Sequence, residues 1–221
     1  LKLNIIIAES ALELIPDELG SLPAVVNDSK RRSVEPARIL LDRSIHHAAM
    51  RRLKDRFKRG RPDLVHITLL SITSTPLYLN GFVKVYIHTY DDMVLEIKET
   101  TRPPKNYFRF RSLIEKLLFE KVNNDLIKVY IASLSELLEM IRPDLIIGLS
   151  MQGEYENLEN LVKKIITKKN PAILIGGFAH GHFLPNTLKV LDELIGIDEM
   201  PLDAHVVAAR LVYELERRIR K

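Results

Sequence analysis

Unbroken apolar runs punctuate the chain, and the three clearest lie in its last third: residues 144–150, 172–178 and 194–197. Each feeds into a loop. Runs without polar alternation fit strands covered on both faces, as in a parallel sheet. Helix-like stretches over 155–168 and 186–194 separate them, and a last helix from Leu202 or Asp203 to about Arg218 follows. Earlier in the chain, residues 4–8 predict a buried strand. Residues 9–14 open a helix that Pro16 and the Pro23 turn would end, and residues 27–36 read as a polar, basic loop. Ile39, Leu40, Ile45, Ala48, Ala49 and Leu53 recur at helical spacing, which predicts a helix over 37–57 with arginines on its other side. The β-branched run 64–72 predicts a strand. Residues 82–88 and 93–97 predict a hairpin around Tyr90-Asp-Asp92. Residues 110–122 and 134–141 predict helices and 126–132 a strand. The pattern amounts to one α/β domain over 1–221 with an antiparallel insertion at about 73–100, and strand ends of this kind gather ligands at their carboxyl edge.

Composition narrows the class. A hydrophobic fraction of 46% over 221 residues is ample for a buried core. No run of eighteen apolar residues implies a membrane span, and the apolar part of residues 1–8 is too short for a signal peptide. The chain has no cysteine, which excludes thiol catalysis, cysteine-held zinc and disulfides; it fits an intracellular, cytoplasmic protein. The net charge of +4 is unevenly spread. Between Lys30 and Arg61 stand 12 Lys and Arg against Glu35, Asp42 and Asp55, a local excess of nine that leaves −5 for the rest. That excess is the footprint of a phosphate-binding surface, or else a solvated helical face.

Familiar catalytic motifs are missing. There is no P-loop, no Gly-x-Gly-x-x-Gly opening a helix near the start, and no Gly-x-Ser-x-Gly elbow. His180-Gly-His182 could be half of a metal site, but no carboxylate or third histidine stands at ligand spacing, so no metal is expected. Gly176-Gly-Phe-Ala-His-Gly181 is by itself a tight strand-to-loop turn. It gains weight because Gly148-Leu-Ser150 and Met200-Pro-Leu202 hold comparable strand-end positions. Three such loops could present backbone amides, carbonyls and apolar side chains to an adenine ring. Arg61-Pro-Asp63 suits a guanidinium locked by a carboxylate, for function or merely as a structural ion pair. Arg102-Pro-Pro-Lys-Asn-Tyr-Phe-Arg109 interleaves cations with Tyr107, Phe108 and Phe110, which suits phosphate contacts and base stacking, unless the aromatics belong to the core.

Arg61-Pro-Asp-Leu-Val-His-Ile-Thr-Leu-Leu70, Val85-Tyr-Ile-His-Thr89, Arg102-x-Pro-x-x-x-x-Arg-Phe110 and Gly176-Gly-Phe-Ala-His-Gly181 together resemble the ribosome-biogenesis pseudouridine-N1-specific methyltransferases, in an archaeal-type form. That family belongs to the SPOUT class. The resemblance spans about residue 40 to the C-terminal helix. It implies a SPOUT-type parallel sheet with a C-terminal trefoil knot at about 145–212, an exception to unthreaded connections. It implies S-adenosyl-L-methionine as cofactor, leaving as S-adenosyl-L-homocysteine, and places it against Leu149, Gly176, Gly181, His182, Phe183, Ile197, Asp198, Glu199, Met200, Pro201 and Leu202. It implies a homodimer whose substrate is a pseudouridine in small-subunit rRNA, contacted by Arg61, Lys105, Arg102 and Arg109. Asp63 would orient Arg61 rather than serve as base, because a paired carboxylate accepts protons poorly. Where the family often has Pro-Leu-Ser-Ala, this chain has Pro201-Leu-Asp-Ala204, and Asp203 could cap the last helix. A non-catalytic rRNA-binding assembly factor, or a SPOUT methyltransferase of another RNA nucleotide, remain as alternatives.

Overall fold

The computed structural model describes residues 2–219. Seven strands form one sheet: β1 (Leu3–Ser10), β2 (Val83–Thr89), β3 (Met93–Ile97), β4 (Ile127–Ile131), β5 (Ile146–Tyr155), β6 (Ala172–Gly176) and β7 (Glu193–Gly196). Their spatial order is β4-β3-β2-β1-β6-β5-β7. The five strands from β2 to β7 run parallel, and β3 and β4 add an antiparallel edge. The hairpin expected within 73–100 is β2 and β3, and β2 pairs with β1 in the body of the sheet. The unbroken apolar run of β1 is buried along its whole length, as its double cover requires.

Nine α-helices surround the sheet among the described residues: α1 (Pro23–Arg32), α2 (Arg43–Met50), α3 (Pro62–Thr73), α4 (Pro76–Leu79), α5 (Tyr107–Glu120), α6 (Leu134–Ile141), α7 (Leu158–Ile166), α8 (Pro185–Lys189) and α9 (Ala204–Ile219). One face buries Ile5, Ile7, Val85, Ile87 and Leu95 under side chains of α3, α5, α7 and α9. The other buries Ile6, Tyr86, Val94 and Leu174 under Leu134, Leu137 and Leu138 of α6. A smaller core of Ile15, Leu19, Val25, Ile39, Leu41, Met50 and Leu53 holds the front segment together.

Several expectations from the pattern need correction. Residues 64–72 are not a strand but most of α3. The run is buried on nearly every side, and a helix wrapped by the core loses the polar stripe that betrays its period. Thr68 and Thr73 satisfy their hydroxyls on the carbonyls of Leu64 and Leu69, and Pro62 starts the helix where its missing N–H is no loss. The helix over 37–57 shrinks to α2. Its start is fixed by Asp42, which accepts the Ser44 N–H at 2.9 Å, while Ile39, Leu40 and Leu41 are all buried in an extended segment before it. Pro23 opens α1 instead of ending a helix, so much of 27–36 is helical and 9–14 is not. The stretch 186–194 yields only the short α8 before β7, and β5 runs on to Tyr155, which delays α7 to Leu158.

Candidate functional site

The middle of β5 and the carboxyl ends of β6 and β7 enclose a cavity of about 310 Å³. β5 supplies Leu149, Ser150 and Met151; β6 and its loop supply Ile175, Gly176 and Phe178 through Phe183. Ile197, Asp198, Met200, Pro201, Leu202 and Asp203 close it after β7, with Ala204 and Val207 of α9 and Leu64 of α3. The structure thus brings together ten of the eleven residues expected around a cofactor; Glu199 is not on the wall.

The loops keep their shape for local reasons. Gly181 has φ +98°, a region that suits only glycine. A Cβ on Gly176 would lie 2.8 Å from the Phe178 ring, so that wall needs bare backbone there. Asp198 accepts the Met200 N–H at 3.0 Å and, through its other oxygen, Arg210 of α9 at 2.6 Å. The Met200 amide first, then Arg210, hold the Asp198 carboxyl below the usual carboxylate range. Behind the loop after β6, Glu9 accepts the Leu184 N–H at 2.7 Å and pairs with Lys58, which also donates to the His182 carbonyl.

Arg61 and Asp63 sit at the start of α3, not at the mouth of a strand. Arg61 Nε and Nη2 meet the two Asp63 oxygens at 2.8 and 2.9 Å, a bidentate lock. The Arg61 N–H is fixed on the Ala11 carbonyl at 3.0 Å. The guanidinium is held more firmly protonated, chiefly by Asp63, and the charges of Asp203 and Asp42 act in the same direction. Asp203 stands on the cavity wall and Leu64 follows Asp63, so the locked arginine lies at the cavity's rim. Asp203 is therefore a second carboxylate beside the site, in addition to Asp63.

Arg102, Lys105 and Arg109 are exposed, and among the described residues none has a carboxylate at ion-pairing distance. Their loop is tied to α3 by a 2.7 Å contact between His66 Nε2 and the Pro104 carbonyl. The three aromatics separate by role. Phe110 is core, stacked on His66 with centroids 4.3 Å apart. Tyr107 donates to Asp42 at 2.9 Å. Phe108 is 63% exposed, with the Arg111 guanidinium 5.3 Å from its ring. An exposed aromatic among unpaired cations suits a nucleobase stacked between phosphate contacts.

The pattern missed Lys58, Glu9 and Leu64, and of Asp203 it offered only a possible cap of the last helix or a charge near the cofactor, without its closeness to Arg61. Lys58 belongs to a basic run that read as a phosphate-binding surface or a solvated face, and nothing in its neighbours points beneath a loop 124 residues later. Among the described residues no group of three or more His, Asp or Glu gathers as a metal site, and no helix is long and apolar enough to cross a membrane.

Comparison with known proteins gives a consistent result. A model of the EMG1/NEP1 methyltransferase family matches residues 5–216. The ribosomal RNA small subunit methyltransferase Nep1 of Staphylothermus marinus is 42% identical over 219 residues, covering 97% of this chain and 95% of that one. The protein of the same name from Pyrococcus furiosus is 37% identical over 218 residues, covering 97% and 96%. The crystal structure of Archaeoglobus fulgidus Nep1 bound to S-adenosylhomocysteine superposes with a TM-score of 0.87 at 32% identity, over the full length of both chains.

Proposed function

The chain belongs to the EMG1/NEP1 methyltransferase family, and from that premise we propose that it methylates N1 of a pseudouridine in small-subunit rRNA, as a cytoplasmic homodimer. The coarser activity follows from membership: it is an S-adenosylmethionine-dependent methyltransferase of small-subunit rRNA with a SPOUT-type α/β fold. The observation that carries the finer reading is the shared rim. A cavity walled mainly by main chain and apolar side chains abuts the bidentate Arg61–Asp63 pair through Leu64 and Asp203.

The wall fits the cofactor. Gly176 lets the Phe178 ring pack directly on the backbone of the wall, and Leu149, Ile197, Leu202 and Val207 offer apolar cover for an adenosine. When bound, S-adenosylmethionine supplies an electrophilic methyl group. The residues of this chain do the positioning. Arg61, held rigid by Asp63, grips the RNA backbone at the rim; Arg102, Lys105 and Arg109 extend that grip; Phe108 offers a ring for a flanking base. N1 of pseudouridine carries a proton that would pass to solvent water as the methyl group is accepted, because Asp63 is spent on Arg61; alignment then supplies most of the rate. A trefoil knot over about 145–212 belongs to the same reading. Its support is the tight passage at Gly153, where an added Cβ would lie 2.4 Å from the Leu194 and Ile195 backbone. Met200 and Tyr213, both large and exposed at and near α9, support a subunit contact there.

Small-subunit rRNA incubated with the protein and cofactor labelled in its methyl group tests the proposal by mass spectrometry. Label on N1 of one pseudouridine is the expected result. Label on any other nucleotide rejects the specificity, and no label rejects catalysis.

A further inference from the structure

The loop over 178–184 owes its shape to two residues that do not line the cavity. Glu9, near the end of β1, adopts φ +48°, the left-handed region that non-glycine residues seldom enter. Its carboxylate is buried, with the residue only 2% exposed. One oxygen accepts the Leu184 N–H at 2.7 Å and the other meets the Lys58 ammonium. Lys58, 7% exposed, also donates to the His182 carbonyl and lies 4.0 Å from the centre of the Phe178 ring. Its stem runs past Gly181, where a Cβ would sit 3.6 Å from Lys58 Cε. The loop is thus held at 178, 182 and 184 from beneath.

A buried ion pair is a poor way to gain stability, because desolvation offsets much of the attraction. An apolar pair would fill the same space. It could not fix both a carbonyl and an amide of the loop above. We propose that Lys58 is a positioning residue for the cofactor: paired with Glu9, it sets the 178–184 loop in the conformation that S-adenosylmethionine requires, without touching the cofactor itself. This rests on the reading of the cavity as the cofactor site.

The same lysine opens the segment that carries the RNA-binding arginine. Arg59 pairs with Glu13, the Gly60 carbonyl accepts the Arg43 N–H at 2.9 Å, and Arg61 N–H is bound to Ala11. Residues 58–61 are pinned throughout.

Calorimetry with S-adenosylhomocysteine on the full chain tests this, together with hydrogen exchange of the loop amides. Lys58→Met keeps the stem and removes the charge. The double variant Glu9→Gln/Lys58→Met leaves no buried charge unpaired and covers the case in which the single variant does not fold. The expected result is an S-adenosylhomocysteine Kd raised tenfold or more in the folded variants, with faster exchange in 178–184 and unchanged exchange in β3 and α9. Variants that bind the product as tightly as the parent overturn the role of Lys58. A parent protein that does not bind it overturns the reading of the cavity instead.

Discussion

At the residue scale the decisive group is the Asp63 carboxylate. Partial burial pushes its pKa up, but the hydrogen bonds and charge of Arg61, with the N–H groups of Leu64 and Asp63 itself, outweigh that and hold it below the usual carboxylate range. A carboxylate held ionised in this way accepts a proton poorly near neutrality. It can instead keep a planar fork pointed in one direction. Asp63→Asn is expected to weaken rRNA binding about three- to tenfold, the worth of roughly 1 kcal/mol for a half-exposed ion pair. Turnover should fall in step. Fluorescence anisotropy and single-turnover rates separate the possibilities: intact binding with a collapsed rate at saturating RNA would make Asp63 the base after all. The sequence showed the Arg61–Asp63 pairing because a rigid proline sets the two side chains apart by one fixed step. It did not show that Asp203 joins them, since that requires the last loop to fold back over α3.

At the scale of elements, two features explain how the sheet stays in register. β4 is an edge strand, and an open edge invites pairing with another chain. Here Asn123 accepts the Val129 N–H at 2.7 Å and Asn124 accepts the amides of Leu126 and Ile127 at 2.8 and 2.7 Å, so side chains occupy several donors that start or border the strand. β5 carries the second feature. Its pairing with β7 is interrupted between Leu149 and Glu154, and Ile195 is opposite both residues. Gly153 lies inside that interruption, pressed on backbone that cannot yield. Gly153→Ala is expected to destabilise the fold by about 3 kcal/mol, the upper part of the usual range for overpacking, and to lower the urea midpoint. A midpoint equal to the parent's would show that the passage is looser than it looks. Periodicity read α6 and β2 to β4 well, because each is short, and the two hairpin strands are rich in β-branched residues and joined by the Tyr90-Asp-Asp92 turn. It misread α3, where eight of twelve residues are buried, so that the polar stripe marking a helical period is nearly lost.

For the whole molecule, the acid limit of stability follows from three histidines placed far apart in the chain. His46 on α2, His66 on α3 and His88 on β2 are buried, and burial holds each imidazole below its ordinary pKa of 6.5 despite Asp28 beside His46 and Asp92 beside His88. In the unfolded chain all three take up protons as the pH falls through about 6.5. The folded chain resists doing so. The unfolded state then binds more protons, so stability is full above that pH and is lost on acidification. The melting temperature is expected to fall steadily from pH 7 to 5, a window that ends above the range where paired carboxylates such as Asp63 and Asp198 begin to protonate. A flat profile across that window would mean that the histidines are hydrated in solution.

The sequence alone determined the α/β class, the strand-end loops of the last third and the cationic cluster of Arg102, Lys105 and Arg109. Each of these rests on local chemistry: an unbroken apolar run, a glycine where the backbone must turn, a proline that sets two charged side chains apart. Only the tertiary structure decided that residues 64–72 are helical, that Phe108 and not Phe110 is free to stack, and that Lys58 lies beneath the loop after β6. Those outcomes depend on which distant surfaces enclose a segment, and enclosure leaves no mark on the segment's own order of residues.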